Sequence, residues 1–172
     1  MGDVIPTEKL SLIRLTKYHD LSNFKCSDDD LDDFLKNDAL KYQEQCLAVT
    51  YVCIFNEQIV GYMTLCSDSV KFNIDEANQM YKGIKLKDVP AIKLARLAVH
   101  IDYHKNGVGK YLVLRCLLMA RDVKGQIGVR IVTVEAKGGS VDYYKKLGFR
   151  ELQKYSGKHR QHPYMYIDIM EE

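Results

Sequence analysis

The spacing of apolar and polar positions changes several times along this 172-residue chain. Leu10 to Leu15 alternates and predicts an opening strand. From Asp28 to Gln45 the period becomes helical: Leu31, Phe34, Leu35 and Ala39 form one stripe, and Ser27 with Asp30 predicts a capping pair at its start. Ala48 to Phe55 and Ile59 to Leu65 are β-rich runs around Asn56-Glu57-Gln58, which predicts a hairpin. Residues 67–88 are polar and irregular, with a short helix expected near Asp75 to Tyr81. Pro90 opens a central strand, Ala91 to Val99. A basic amphipathic helix begins at Val108 and carries Leu112, Leu114, Leu117, Leu118 and Met119. Val129 to Glu135 predicts a strand, Ser140 to Leu147 a helix stopped by Gly148, and Phe149 to Leu152 and Tyr164 to Ile169 two closing strands. The order predicts a mixed α/β (α+β) fold with antiparallel pairs first and one βα crossover in the middle. With no repeat, low-complexity tract or linker, a single domain over residues 1–172 is expected.

Composition adds little until it is divided. The 25 Lys+Arg and 23 Asp+Glu nearly cancel, yet residues 1–86 carry 14 acidic and 9 basic side chains against 9 and 16 in residues 87–172. The second half is therefore expected to meet something anionic. The acidic run Asp28, Asp29, Asp30, Asp32 and Asp33 is better explained by the helix dipole than by a cation, because carboxylates are favoured in a first turn. Five scattered cysteines, Cys26, Cys46, Cys53, Cys66 and Cys116, make no Cys-x-x-Cys pair, which predicts reduced thiols and a cytoplasmic location. His100 and His104 have helical ligand spacing but bracket a strand end and a glycine loop, so no metal is expected. No run approaches the ~20 apolar residues of a membrane span, and neither a signal peptide nor a lipid anchor is expected.

The chemistry concentrates where the central strand gives way to the long helix. Gly107 and Gly109, flanked by Lys105 and Lys110, let the backbone approach a ligand closely, and the N–H groups of a helix start carry partial positive charge. These features describe a pyrophosphate cradle. Leu112 stands where a dinucleotide fingerprint needs its third glycine, and no Gly-Lys-Ser/Thr closes an NTPase loop. On spacing alone, a tight turn with solvated lysines is an equal reading.

Leu97-Ala98-Val99 followed by Tyr103-His104-Lys105-Asn106-Gly107-Val108-Gly109-Lys110 resembles the acetyl-CoA motif of the GNAT N-acetyltransferase superfamily. Val132-Thr133-Val134-Glu135 and then Tyr143-Tyr144-Lys145-Lys146-Leu147-Gly148-Phe149 is similar to that family's second block, in the right order and separation. His104 stands where the family has Gln or Arg. The resemblance spans nearly the whole chain. It implies a mostly antiparallel twisted sheet flanked by helices, with strands 4 and 5 splayed for acetyl-CoA. It implies backbone pairing of the cosubstrate with Leu97, Ala98 and Val99, and pyrophosphate held by His104, Lys105, Asn106, Gly107, Val108, Gly109 and Lys110. Tyr144 becomes the expected general acid, with packing beside Phe149 as its alternative. For the base, Glu135, His100 and bulk water stay open. Arg96, a charge in an apolar strand, either lines the acceptor cleft or pairs with a buried carboxylate.

A narrower resemblance runs through Phe24-x-Cys26, Leu31-x-x-Phe34-Leu35, Gly61-Tyr62-Met63-Thr64-Leu65 and Ala95-Arg96-Leu97-Ala98-Val99. These segments are similar to the GNAT-type toxins of toxin–antitoxin pairs, which acetylate aminoacyl-tRNA. That resemblance implies tRNA as a partner, with Lys145, Lys146, Arg150, Lys154, Lys158 and Arg160 as its face. The main expectation is acetyl transfer from acetyl-CoA to a primary amine, small or macromolecular. The alternatives are toxin-like acetylation of aminoacyl-tRNA and a non-catalytic acetyl-CoA-sensing or RNA-binding module. A homodimer fits the fold, and no membrane partner is expected.

Overall fold

A computed structural model describes residues 3–73, 77, 81, 83–84, 88–137, 139–152 and 162–170. The expected helix near Asp75 to Tyr81 lies largely outside them, as do Lys154, Lys158 and Arg160. Seven strands form one sheet: β1 (Ser11–Arg14), β2 (Val49–Phe55), β3 (Gln58–Lys71), β4 (Asp88–Val99), β5 (Ile131–Glu135), β6 (Arg150–Glu151) and β7 (Tyr164–Asp168). Their order is β1-β2-β3-β4-β5-β7-β6, mostly antiparallel, with β4 and β5 the parallel pair. The mixed fold expected from the periodicity is the one observed.

The chain groups into two compact units, each built from both halves of the sequence. One takes Met1–Cys66 and Leu94–Cys116, the other Ser67–Lys93 and Leu117–Glu172. In the first, β2 and β3 pair from Val49↔Leu65 to Phe55↔Gln58. The hairpin turn is two residues, one fewer than expected: Asn56 and Glu57 both take positive φ, 48° and 64°, and Gln58 already opens β3. Such turns match the twist of the strands they join. The Thr50 and Thr64 hydroxyls meet at 2.9 Å inside the sheet, so the pair buries no unsatisfied polar atom.

The acidic helix starts one residue later than the capping pattern implied. The cap is Asp28, whose side chain accepts the N–H groups of Asp30 and Leu31 at 3.1 and 3.2 Å. Ser27 plays no such part because α1 begins only at Asp29. The run continues from α1 (Asp29–Asp33) through a π turn (Phe34–Asp38) into α2 (Ala39–Glu44). Two further aspartates are also engaged: Asp32 accepts the Cys26 N–H at 2.8 Å, and Asp33 accepts from Asn37 at 2.7 Å. Phe34, Leu35 and Ala39 enter a core with Leu15, Phe24, Val52, Tyr62 and Ala98. The Tyr62 hydroxyl donates to the Leu31 carbonyl at 2.8 Å.

The long helix, α3 (Val108–Val123), buries a stripe of Val108, Leu112, Cys116 and Ala120, widened in its first turns by Tyr111 and Val113. In the second unit a core of Val70, Phe72, Val89, Ala91, Ile131, Leu152 and Tyr166 surrounds the starts of β4 and β5. There the Arg130 N–H reaches the Pro90 carbonyl at 2.9 Å. The short helix α4 (Val141–Lys146) follows β5.

Candidate active site

β4 runs into a 3₁₀ turn (Ile101–Tyr103) and then the glycine loop. Lys105 and Gly107 both adopt positive φ, 67° and 87°, and this reverses the chain so that α3 can start. The Gly107 carbonyl accepts the Tyr111 N–H at 3.0 Å, which makes Gly107 the helix cap. The N–H groups of Val108, Gly109 and Lys110 are then those of a first turn, with no acceptor inside the helix. Lys105 and Lys110 are exposed beside them. Donors, helix dipole and two mobile ammonium groups together fit a pyrophosphate.

The remaining loop residues do different work. Asn106 is a clasp: its side chain donates to the Asp3 carbonyl at 2.7 Å, and its own carbonyl accepts the Ile5 N–H at 3.0 Å. A Cβ at position 107 would come within 3.0 Å of the Val4 side chain, so the N-terminal segment lies against the loop, and the positive φ itself favours glycine there. His104 turns back onto the strand, with Nε2 3.0 Å from the Val99 carbonyl. A carbonyl only accepts, so Nε2 carries the proton. Of the three strand positions expected to meet the cosubstrate, Ala98 is buried and Leu97 and Val99 are half-buried. His100 is committed elsewhere, its N–H on the Val60 carbonyl at 2.9 Å and Nε2 3.1 Å from the Asn23 carbonyl.

In the second unit, the spacing Tyr-x-x-x-Gly-Phe acquires a structural reason. α4 ends in a Schellman motif: the Phe149 N–H bonds the Tyr144 carbonyl at 3.1 Å and the Gly148 N–H bonds the Lys145 carbonyl at 3.0 Å. Gly148 supplies the required positive φ of 92°. The apolar contact that accompanies this motif is Phe149 against Tyr144, ring centroids 5.4 Å apart at 65°. Packing beside Phe149 and a fixed position for the Tyr144 ring are thus one arrangement. Tyr143 packs edge-on to Tyr144 at 5.3 Å. Its buried hydroxyl has no hydrogen-bond partner among the described residues, and burial pushes its pKa up to about 12.

Glu135 ends β5 and is tied to Lys93, Oε2 to Nζ 3.2 Å, while that ammonium sits 5.1 Å above the Tyr164 ring. Nearby, the Asp68 carboxylate accepts from the hydroxyls of Thr133, at 2.6 Å, and Tyr164. Burial and this bond push the Tyr164 hydroxyl well above the usual phenol range. The network escaped the sequence reading because Asp68 lies in a stretch read as irregular, whereas β3 continues to Lys71. Among the described residues no group of three or more His, Cys, Asp or Glu is placed to hold a metal ion.

The family profile described as an acetyltransferase (GNAT) domain matches residues 47–151, from β2 through β6. The chain belongs to the GNAT acetyltransferases. Both motif blocks fall inside the matched span, and the resemblance drawn from them holds. A tRNA-acetylating toxin of Mycobacterium tuberculosis (strain ATCC 25618 / H37Rv) is 28% identical over 123 residues, 72% of this chain and 73% of that protein. AtaT complexed with acetyl-methionyl-tRNAfMet superposes with a TM-score of 0.79 at 25% identity, covering 90% of this chain and 93% of that one. AtaTR bound with AcCoA gives 0.77 at 25% identity, over 94% and 95%. A mutant of KacT gives 0.81 at 20% identity, over 94% and 95%, a likeness of fold. As a GNAT member the chain is an acetyltransferase, and the enzyme reading replaces that of a non-catalytic module.

Proposed function

We propose that this chain, working as one N-acetyltransferase domain, moves the acetyl group of acetyl-CoA onto the amino group of aminoacyl-tRNA. What carries the acceptor assignment is the likeness over nine tenths of the chain to AtaT with acetyl-methionyl-tRNAfMet, beside the M. tuberculosis tRNA-acetylating toxin. The predominance of Lys and Arg in residues 87–172 suits a nucleic-acid substrate. The proposed tRNA face includes Lys145, Lys146 and Arg150. Five free cysteines and the absence, among the described residues, of a helix able to cross a membrane suit work in the cytoplasm.

In this reading the N–H groups of Val108, Gly109 and Lys110 take the pyrophosphate, and Lys105 and Lys110 neutralise it. The backbone of Leu97 and Val99 pairs with the pantetheine amides. The amine nitrogen attacks the thioester carbonyl, the C–N bond forms and the C–S bond breaks. The Tyr144 hydroxyl protonates the departing sulfur, and the proton shed by nitrogen leaves to Glu135 or to water, so that net one proton passes from nitrogen to sulfur.

Thiol release from acetyl-CoA, measured with charged tRNA, deacylated tRNA, a polyamine and a peptide, tests the acceptor. Charged tRNA alone is expected to release thiol; release with the polyamine or peptide but not with charged tRNA overturns it. Tyr144→Phe should lower turnover about 100-fold or more while acetyl-CoA affinity stays within about twofold. Unchanged turnover removes Tyr144 from the chemistry.

A further inference from the structure

Arg96 interrupts the apolar run of β4, between buried Leu94 and Ala98. Its guanidinium carbon lies 3.6 Å from the centre of the Phe34 ring and 5.7 Å from that of Tyr42. The two rings meet edge to face, 5.4 Å apart at 80°. Phe34 is 5% exposed and Tyr42 38%, so the aromatic floor is closed at one end and open to solvent at the other. Phe34 opens the π turn Phe34–Asp38, an insertion that is frequent at functional sites.

Stacking places a guanidinium but does not satisfy its N–H donors. Among the described residues the Arg96 side chain has ring contacts and no hydrogen bond or ion pair. A half-buried charge seated by two rings, with its side-chain donors unspent among the described residues, is arranged to receive an oxyanion, and the planar guanidinium fork suits phosphate or carboxylate.

We infer that Arg96 is the acceptor-recognition residue, binding an oxyanion that the acceptor carries close to its amine. Resting on the proposed aminoacyl-tRNA substrate, that oxyanion is a phosphodiester of the terminal nucleotides; the carboxylate of a free amino acid shares its chemistry. Phe34 and Tyr42 are positioning residues that hold the guanidinium flat.

The test compares wild type, Arg96→Gln and Arg96→Lys on three acceptors: an aminoacylated 3′-terminal oligonucleotide, aminoacyl-adenosine lacking a phosphate, and a free amino acid. For Arg96→Gln, kcat/KM on the oligonucleotide should fall about 100-fold. On aminoacyl-adenosine it should move less than about threefold, with acetyl-CoA affinity within about twofold. Arg96→Lys should recover part of the loss by keeping the charge without the fork. An equal loss on phosphate-bearing and phosphate-free acceptors, or no loss, overturns the inference. A loss confined to the free amino acid makes the carboxylate the oxyanion and excludes the phosphate. Should wild type acetylate a different amine and no aminoacyl acceptor, the tRNA reading fails by itself. Arg96→Gln must then still separate anionic from uncharged forms of that amine, and failure to do so overturns the role of Arg96 as well.

Discussion

Arg130 and Arg96 both lie against aromatic rings, and among the described residues only Arg130 has a carboxylate partner. Arg130, just before β5, places Nε and Nη2 2.9 and 2.8 Å from Oδ2 of Asp168, whose side chain is 1% exposed. The other oxygen of Asp168 accepts the Met170 N–H at 2.8 Å. The Arg130 backbone joins the same knot, its N–H on the Pro90 carbonyl and its carbonyl accepting from Ile169 at 3.1 Å. The guanidinium also stands 5.1 Å from the Tyr81 ring. Here every partner is internal, and the charge is part of the framework. Arg96 has the aromatic contact, at 3.6 Å, with no carboxylate partner among the described residues. The difference separates an arginine that holds strands together from one held ready for a ligand: a ring fixes a cation in place, and the fate of its N–H donors tells what the cation is for.

The comparison can be strained from outside by pH. Burial pushes the thiols of Cys26, Cys53 and Cys116 up to about 12 from about 9. All three belong to the unit that contains Arg96. Because the folded state keeps these protons longer than the unfolded chain, the stability they supply is complete below about pH 9. It is lost as pH rises from there through about 12. Hydrogen exchange between pH 9 and 11 should therefore show protection falling first in β2 and around Cys116 in the middle of α3. Simultaneous loss around Arg130 would break the distinction.

Removing the carboxylate comes next in size. Asp168→Ala strands Arg130, whose side chain is 34% exposed, and should lower the unfolding free energy by about 3 kcal/mol in urea titrations. Arg96→Gln forfeits only a ring contact and should cost about 1 kcal/mol by the same measurement. Equal losses from the two would make Arg96 a framework residue. Phe34→Leu refines the point: with an aliphatic floor the KM for the acceptor should rise several-fold while kcat is nearly kept, which steady-state kinetics reads directly.

Much of the site could be read without coordinates where the backbone itself imposes the residue. Gly107 is needed at φ 87° under Val4, and Gly148 at φ 92° to end α4, so both appear in the chain as glycines at fixed offsets from a strand and a helix. Strand and helix order was equally open, because β4 and α3 keep their periods for 12 and 16 residues. What escaped depends on choices that residue type and spacing leave open. Ser27 and Asp28 are both good caps, and only the start of α1 at Asp29 chooses between them. The stripe of Leu31, Phe34, Leu35 and Ala39 assumed an unbroken 3.6-residue period, and a π turn has no comparable signature, so nothing joined Phe34 to Arg96. His104 was expected at the pyrophosphate; its bond to the Val99 carbonyl is a local choice that the motif does not encode.

The destination of the acetyl group is the decisive observable. Isotopically labelled acetyl-CoA should be incubated with total charged tRNA and the wild-type chain, followed by nuclease digestion and identification of the labelled fragment. The expected product is a terminal adenosine bearing an N-acetylated aminoacyl group, absent with deacylated tRNA and strongly reduced with Tyr144→Phe. Label that stays in acetyl-CoA, or appears on the polynucleotide regardless of charging, would contradict it.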